Sequence, residues 1–259
     1  MTSKSDHKYL DLDNLDLNRA YTPQEFEIIS DQLKYRSLII DGKPIRHFEL
    51  NKSGKLVPIP PTVFRKEYAV AEIVAQIRNW NVETRQKGAV TSSQGGFKLE
   101  GGNGIVAPDV AYTARDTCHR LDDSQLDSFQ GEAYSPTVVV EVDDFENIHG
   151  VVYNRSKFDK ANTKFKNVYF ASETSVQLGW LIDPKYKHIW IYRRDAEGNA
   201  RRSKKRTWSN LDGGEYLPGF TLKVNKLVWQ DPGLREISEE EEEEVILECF
   251  YPACDQSFD

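Results

Sequence analysis

The chain has 259 residues, of which 39% are hydrophobic and 29% are charged. It carries no apolar run long enough to cross a bilayer, and residues 1–7 lack the apolar core of a secretory signal. The three cysteines, Cys118, Cys249 and Cys254, fit neither a zinc spacing nor a disulfide framework. We therefore expect an intracellular protein, cytoplasmic or nuclear, that makes no contact with a membrane.

The formal net charge of −7 is unevenly distributed along the chain. Ten of the 41 acidic residues fall in the last 24 positions, which leaves 31 acidic against 34 basic residues in positions 1–235. The body is thus mildly basic and could bind a polyanion. We predict a flexible N-terminal arm over 1–21, one domain over 22–233 and an acidic C-terminal tail over 234–259.

The first elements are helices and a turn. Residues 22–25, Thr-Pro-Gln-Glu, form a capping box with proline at the first helical position, which predicts a helix over 23–34. Asp41-Gly42 predicts a tight turn within a strand pair over 36–50. After three prolines, an apolar stripe at Val70, Ile73, Val74 and Ile77 predicts a long helix over 63–81.

Glu67 lies near the edge of that stripe. One interpretation is a carboxylate that reaches a metal site. The other is a solvated glutamate in the first turn, where negative charge favours the helix dipole. The residue pattern leaves both open.

The remaining elements are mainly strands, predicted over 89–93, 96–99, 105–113, 137–143, 178–182 and 188–192. The glycine-rich residues 101–104 lack the spacing of a phosphate-binding loop and predict a hairpin turn. Strands that alternate with helices predict an α/β fold, with a mixed central sheet flanked by helices.

Two apolar strands each carry a carboxylate, Asp109 in the first and Glu141 in the second. A buried carboxylate is costly unless it is paired or holds a metal. Mg²⁺ typically uses one or two protein carboxylates and keeps positions for water and a phosphate. The pattern therefore predicts a Mg²⁺ site, with Mn²⁺ as an alternative ion, suited to phosphodiester hydrolysis.

The next predicted helix, over 156–170, is rich in lysine. Lys157, Lys160 and Lys164 share one flank, and a nearby lysine could orient the attacking water or stabilise charge on the phosphate. Without further information, the pattern favours a basic amphipathic surface helix with all three lysines solvated.

These residues resemble the PD-(D/E)xK nuclease superfamily, and most closely its Uma-type restriction endonuclease family. The resemblance rests on Pro108-Asp109, Glu141-Val142 and a lysine in the following helix. It extends, in the expected order, to residues 22–26, 39–43, 179–184 and 217–222. It covers roughly residues 22–229 and implies a restriction-endonuclease-like fold and a DNA endonuclease.

The resemblance also implies site residues. Asp109, Glu141 and the Val142 carbonyl would hold the metal, Glu67 would assist through a metal-bound water, and Lys164 would be the catalytic lysine. In the usual motif the lysine comes two residues after the glutamate, where this chain has Asp143. The Uma-type lysine comes from the following helix, and an offset of about one residue keeps Lys160 as an alternative to Lys164.

The densest basic segment predicts contact with nucleic acid. It comprises Arg201, Arg202, Lys204, Lys205, Arg206 and Trp208. Backbone phosphates and a stacked aromatic ring would account for such a cluster. A nuclear-localisation patch or a solvated hairpin tip are the alternatives.

Three functions remain open at this stage. The first is a Mg²⁺-dependent DNA endonuclease, with a homodimer left open. The second is a catalytically inactive nuclease fold that binds nucleic acid or regulates. The third is a nuclease directed at RNA or at particular nucleic-acid structures.

Overall fold

A six-stranded mixed sheet forms the centre of the fold in this computed structural model, which describes residues 9–102, 104–145 and 155–230. The chain divides into two units, Met1–Val228 and Trp229–Asp259. The fold and the site below belong to the first unit. The predicted acidic tail, 234–259, lies outside the described residues.

The helices are α1 (Pro23–Leu33), α2 (Phe64–Glu83), α3 (Arg115–Cys118), α4 (Asp123–Leu126) and α5 (Arg155–Lys164), and a π-helical turn, Phe165–Tyr169, continues α5. The start of α1 is the predicted capping box. The Glu25 N–H donates to Thr22 Oγ1 at 3.2 Å, and the Thr22 N–H donates to the Glu25 carboxylate at 2.9 Å. Predicted helices 23–34 and 63–81 are thus confirmed within three residues at each end.

The strands are β1 (Leu38–Ile40), β2 (Lys43–Ile45), β3 (His47–Leu50), β4 (Leu56–Ile59), β5 (Ala89–Ser92), β6 (Phe97–Lys98), β7 (Ile105–Val106), β8 (Val110–Thr113), β9 (Val138–Val142), β10 (Leu178–Asp183), β11 (His188–Arg194), β12 (Ala200–Lys204), β13 (Leu211–Asp212) and β14 (Thr221–Leu222). Asp41 and Gly42 both have positive φ in the β1–β2 turn, as its aspartate-glycine sequence predicts.

The central sheet has the order β12-β11-β10-β9-β8-β5. Strands β9 and β10 are parallel, and the other neighbouring pairs are antiparallel. A smaller sheet has the order β4-β3-β7-β6. The predicted mixed sheet flanked by helices is confirmed.

Both faces of the central sheet are covered. On one face, Val70, Ile73 and Ile77 of α2 belong to the same core as Val140 and Trp180. On the other face, α5 and its π-helical turn pack on the sheet through the aromatic residues Phe158, Phe165 and Tyr169, together with Val139 and Leu181. Covering on both sides explains why Val138–Val142 is an almost continuous apolar run.

A third core joins α1 to the smaller sheet through Phe26, Ile29, Phe48 and Ile105. Part of the segment predicted as a flexible arm contributes to it, since Leu12 is 4% exposed and packs there. Leucine side chains in a segment without helical or strand periodicity can therefore still pack into a core.

The prediction of one continuous strand over 105–113 is wrong. Strand β7 belongs to the smaller sheet and β8 to the central sheet, and Pro108 lies between them. Proline has no N–H to donate to a ladder, so pairing stops there. Asp109 therefore directly precedes a central strand.

Strands β6 and β7 pair antiparallel, so the glycine-rich segment predicted as a hairpin turn does connect a hairpin. Within the residues that the structure describes, no helix is long and apolar enough to cross a membrane.

Candidate active site

The antiparallel pairing of β8 with β9 brings the two predicted carboxylates together. Val110 pairs with Val140, so the register extended by one residue places Asp109 opposite Glu141. Side chains alternate along a strand, and Val139 and Ala111 face the α5 side of the sheet. Glu141 has the same parity as Val139 and therefore faces that side, where Lys164 contacts it. Asp109 precedes β8 at the end of the sheet, where Lys66 of α2 reaches it.

Asp109 is buried, with 6% of its surface exposed. Its Oδ2 accepts a hydrogen bond from the Val142 N–H at 2.8 Å and lies 3.1 Å from Lys66 Nζ. Burial and the neighbouring Glu141 raise the pKa of Asp109 to about 7, against the opposing effect of Lys66 and the Val142 N–H. The surroundings of the Asp109 carboxyl therefore disfavour its ionised form.

Lys164 contacts two carboxylates at once. Its Nζ lies 3.0 Å from Glu141 Oε1 and 3.0 Å from Glu49 Oε1. Burial acts to lower the pKa of Lys164, but Glu141 and Glu49 outweigh it and raise the pKa well above the ordinary value. At neutral pH the side chain is an ammonium ion, suited to stabilise negative charge and unsuited to accept a proton.

The π-helical turn after α5 brings a tyrosine to the same carboxylate. The Tyr169 hydroxyl donates a hydrogen bond to Glu141 Oε1. The turn is closed by the Phe170 N–H, which donates to the Phe165 carbonyl at 2.9 Å. Tyr169 is five positions after Lys164, and the wider π-helical turn reduces the angle between their side chains compared with an α-helix. Both side chains therefore reach Glu141.

Glu49, on β3, is a site residue that the sequence reasoning missed. It is 8% exposed and accepts a hydrogen bond from the Ala107 N–H at 2.8 Å through the same Oε1 that contacts Lys164. Glu49 thus connects β3 of the smaller sheet to the backbone of Ala107, two residues before Asp109, and to Lys164 of α5. A carboxylate between the apolar residues Phe48 and Leu50 was the available signal.

Lys66 is the second residue missed, and it replaces Glu67 at the site. Lys66 lies four residues before Val70 and so continues the apolar stripe of α2. Glu67, the next residue, is rotated by about 100° around the helix axis from Lys66. Glu67 is exposed and makes no ion pair within the described part of the chain. That Glu67 assists through a metal-bound water stays a prediction.

The structure separates the candidate lysines of α5. Lys160 is exposed, while Lys164 reaches the carboxylates. Lys157 contacts Asp143 Oδ1 at 2.6 Å, so the position that holds lysine in the usual motif is an aspartate paired with another lysine. The geometry therefore favours Lys164 over Lys160.

The predicted basic segment lies on and after β12, an edge strand of the central sheet. Arg201, Arg202, Lys204 and Arg206 are exposed, and Lys205 is half-buried. Trp208 packs against the core on the α2 side, and Tyr192 is buried. Stacking by the Trp208 ring, part of the prediction, does not fit its position against this core.

A divalent cation fits the chemistry of Asp109 and Glu141. They are neighbouring carboxylates that repel each other, and a cation between them would relieve that repulsion. Backbone groups of one strand residue point the same way, so the Val142 carbonyl points toward the β8 side with its N–H. The described residues contain no group of three or more histidine, cysteine, aspartate or glutamate side chains arranged for a metal.

Comparison with known proteins adds a family and a solved structure. A putative nuclease belonging to DUF820 from Anabaena variabilis is 15% identical to this chain, with a TM-score of 0.49, and the match covers 77% of this chain and 96% of that one. No curated protein matches.

The model of the Uma2 family, described as putative restriction endonuclease, matches residues 33–225. This range includes Glu49, Lys66, Asp109, Glu141 and Lys164. The chain belongs to the Uma2 family of putative restriction endonucleases.

Proposed function

We propose that the protein is a metal-dependent endonuclease that hydrolyses phosphodiester bonds of DNA. The observation that carries the proposal is the convergence of Asp109, Glu141 and Lys164, which come from two strands and a helix. Family membership supports a nuclease. The metal and the DNA substrate are our inference from the chemistry of the site and the charge of the surface.

Asp109 and Glu141 would hold Mg²⁺ or Mn²⁺, together with the Val142 carbonyl. When bound, the cation would lower the pKa of a water molecule and polarise the phosphate. The Lys164 ammonium binds a phosphate oxygen and stabilises the negative charge that grows on it. Glu49 and Tyr169 act as positioning residues, because they fix Lys164 and Glu141 through the contacts described above.

Lys66 has a separate role in this proposal. It neutralises the buried Asp109 from the α2 side, at 3.1 Å. Burial acts to lower the pKa of Lys66, but Asp109 and Glu141 outweigh burial and raise it. Lys66 thus opposes the rise in the pKa of Asp109 and favours the ionised carboxylate, the form that serves as a ligand.

The test is cleavage of labelled DNA in Mg²⁺ by the wild type and by Asp109→Ala and Glu141→Ala. Each substitution should lower turnover by at least about a thousandfold, because water activation and charge stabilisation are both lost. Asp144→Ala is the matched control, since Asp144 is a nearby, more exposed carboxylate paired with Lys185 at 3.0 Å. Wild-type turnover in either site variant, with a folded circular dichroism spectrum, would contradict the proposal.

A catalytically inactive binding protein is the second candidate. The specific observation in its favour is that Lys66 and Lys164 already contact the two carboxylates. Calorimetry with Mg²⁺ separates the candidates: the endonuclease binds the ion and loses binding in Asp109→Ala, whereas the inactive protein shows no saturable binding in either form.

Substrate affinity should depend on the charge of the β12 edge. Replacing Arg201, Arg202, Lys204 and Lys205 by glutamine should weaken DNA binding across sequences and flatten the dependence of log K on log salt. The expected change in slope is roughly 0.7–0.9 per lost phosphate contact. The measurement is a salt titration of DNA binding by fluorescence anisotropy.

The control for this experiment removes the same charge elsewhere. Four exposed basic residues outside β12 serve this purpose. They are Arg78 on α2, Arg85 and Lys87 directly after α2, and Lys226. Their replacement by glutamine should leave the slope close to that of the wild type. A β12 variant with the wild-type slope would show that this edge does not touch DNA.

A further inference from the structure

A cavity of about 180 Å³ lies beside the proposed catalytic lysine. Glu49 and Lys164 contribute to its wall, and five of the ten other lining residues have aliphatic side chains: Leu50, Val57, Leu99, Val106 and Val168. Neither the proposed metal ligands nor the proposed phosphate contacts account for this apolar space. It lies where the smaller sheet and the end of α5 meet.

The chemistry of the wall defines the kind of ligand. An apolar cavity of about 150 Å³ is enough to bind benzene, so this space accommodates a single aromatic ring. Asn51 and Glu100 are also part of the wall and add a few polar groups to an otherwise aliphatic lining. Sites for small planar ligands combine such walls with a few polar groups that fix orientation.

Two lysines, Lys164 and the exposed Lys52, and two carboxylates, Glu49 and Glu100, line the cavity, so its wall has no net charge. The link to phosphate is Lys164, the residue proposed to bind a phosphate oxygen. A phosphodiester bound at Lys164 would bring the adjoining nucleoside next to this cavity. The base of that nucleoside has the planar shape and polar edge that the wall suits.

We propose that the cavity holds one nucleobase of the substrate, next to the phosphate that is cleaved. A base stacked inside a duplex cannot enter such a space, so the base must be unstacked. The inference rests on the proposed function for the choice of ligand. It deepens that function by assigning a substrate class: single-stranded DNA, or duplex DNA with an extrahelical base.

The test uses mononucleotides and does not depend on cleavage. Each of the four deoxynucleoside 5′-monophosphates is titrated into the wild type, and the methyl resonances of Leu50, Leu99, Val106 and Val168 are followed by NMR. A base in the cavity should shift these resonances through its ring current. Deoxyribose 5-phosphate, which has no base, should leave them in place.

A cavity-filling variant checks the location. Val57 is 37% exposed on β4, so tryptophan at this position can enter the cavity without disturbing a buried side chain. Val57→Trp should weaken nucleotide binding by about tenfold or more, since the apolar contact of the base is lost. Val82→Trp, at a 54% exposed position on α2, is the matched control and should bind nucleotides normally.

The outcomes separate this inference from the proposed function. Methyl shifts that require the base and disappear in Val57→Trp support the cavity, whether or not the protein cleaves DNA. No shift with any nucleotide overturns the cavity, and cleavage by the same preparation would then leave the proposed function standing. Shifts that persist in Val57→Trp also overturn it.

Discussion

Lys164→Met should lower the turnover number for DNA cleavage by about 100- to 1000-fold, the usual cost of removing one group that stabilises developing negative charge. Lys164 Nζ lies 3.0 Å from Glu141 Oε1, inside the proposed metal site. Its raised pKa keeps it charged at neutral pH, so methionine removes a positive charge while keeping most of the side-chain volume. Steady-state cleavage assays in saturating Mg²⁺ measure the effect.

Lys160→Met is the matched control, because it makes the same chemical change one turn earlier on α5. Lys160 is exposed, and its replacement should leave turnover within about twofold of the wild type. Mg²⁺ should still bind to both variants. A larger loss in Lys160→Met than in Lys164→Met would move the catalytic role to Lys160.

Thermal unfolding must accompany these assays, since Lys164 also balances two carboxylates. Glu49 and Glu141 have side chains only 10% and 16% exposed, and both lose a counter-ion in Lys164→Met. Removing one partner of a buried ion pair is destabilising. Activity is therefore compared at a temperature where both variants remain folded.

Local patterns in the sequence predicted the central part of the site. The apolar run before Glu141 indicated a buried strand, and helical spacing placed Lys160 and Lys164 on one flank. The strand register that sets Asp109 opposite Glu141 could not be read in advance, because it depends on where β8 begins. Pro108 fixes that start, and the prediction of one strand over 105–113 ran through it.

Glu49 and Lys66 were missed for different reasons. Glu49 reaches the site from another sheet, through a contact between residues 115 positions apart, which no local period reveals. Lys66 could have been found, since it continues the stripe that Val70 and Ile73 define. Glu67, the carboxylate next to it, lies on a more exposed side of the helix.

Arg194 should have a large effect on stability, although it lies outside the proposed chemistry. Its guanidinium, at the end of β11, donates five hydrogen bonds to four residues of two loops. Nε donates to the Val176 carbonyl at 2.9 Å and Nη1 to the Gly198 carbonyl at 2.7 Å. The two N–H groups of Nη2 share three acceptors: the carbonyls of Ala171, at 3.0 Å, and Thr174, at 2.7 Å, and Thr174 Oγ1 at 2.9 Å.

Arg194→Met should lower the free energy of unfolding by about 3 kcal/mol. Hydrogen bonds to a charged group contribute roughly 1.5–3 kcal/mol each, and part of the loss is regained where water reaches the freed carbonyls. Arg193→Met, an exposed neighbour on the same strand, should change it by less than about 0.5 kcal/mol. Urea unfolding followed by circular dichroism measures both.

The same loop links this arginine to the candidate site. The Thr174 hydroxyl accepts a hydrogen bond from Arg194 and donates one to the Tyr169 carbonyl. Tyr169 is the last residue of the π-helical turn, and its own hydroxyl donates to Glu141. Arg194→Met should therefore also reduce cleavage at temperatures where the protein remains folded, because the π-helical turn loses its support. Equal stability of Arg194→Met and Arg193→Met would show that these five hydrogen bonds do not hold the loop.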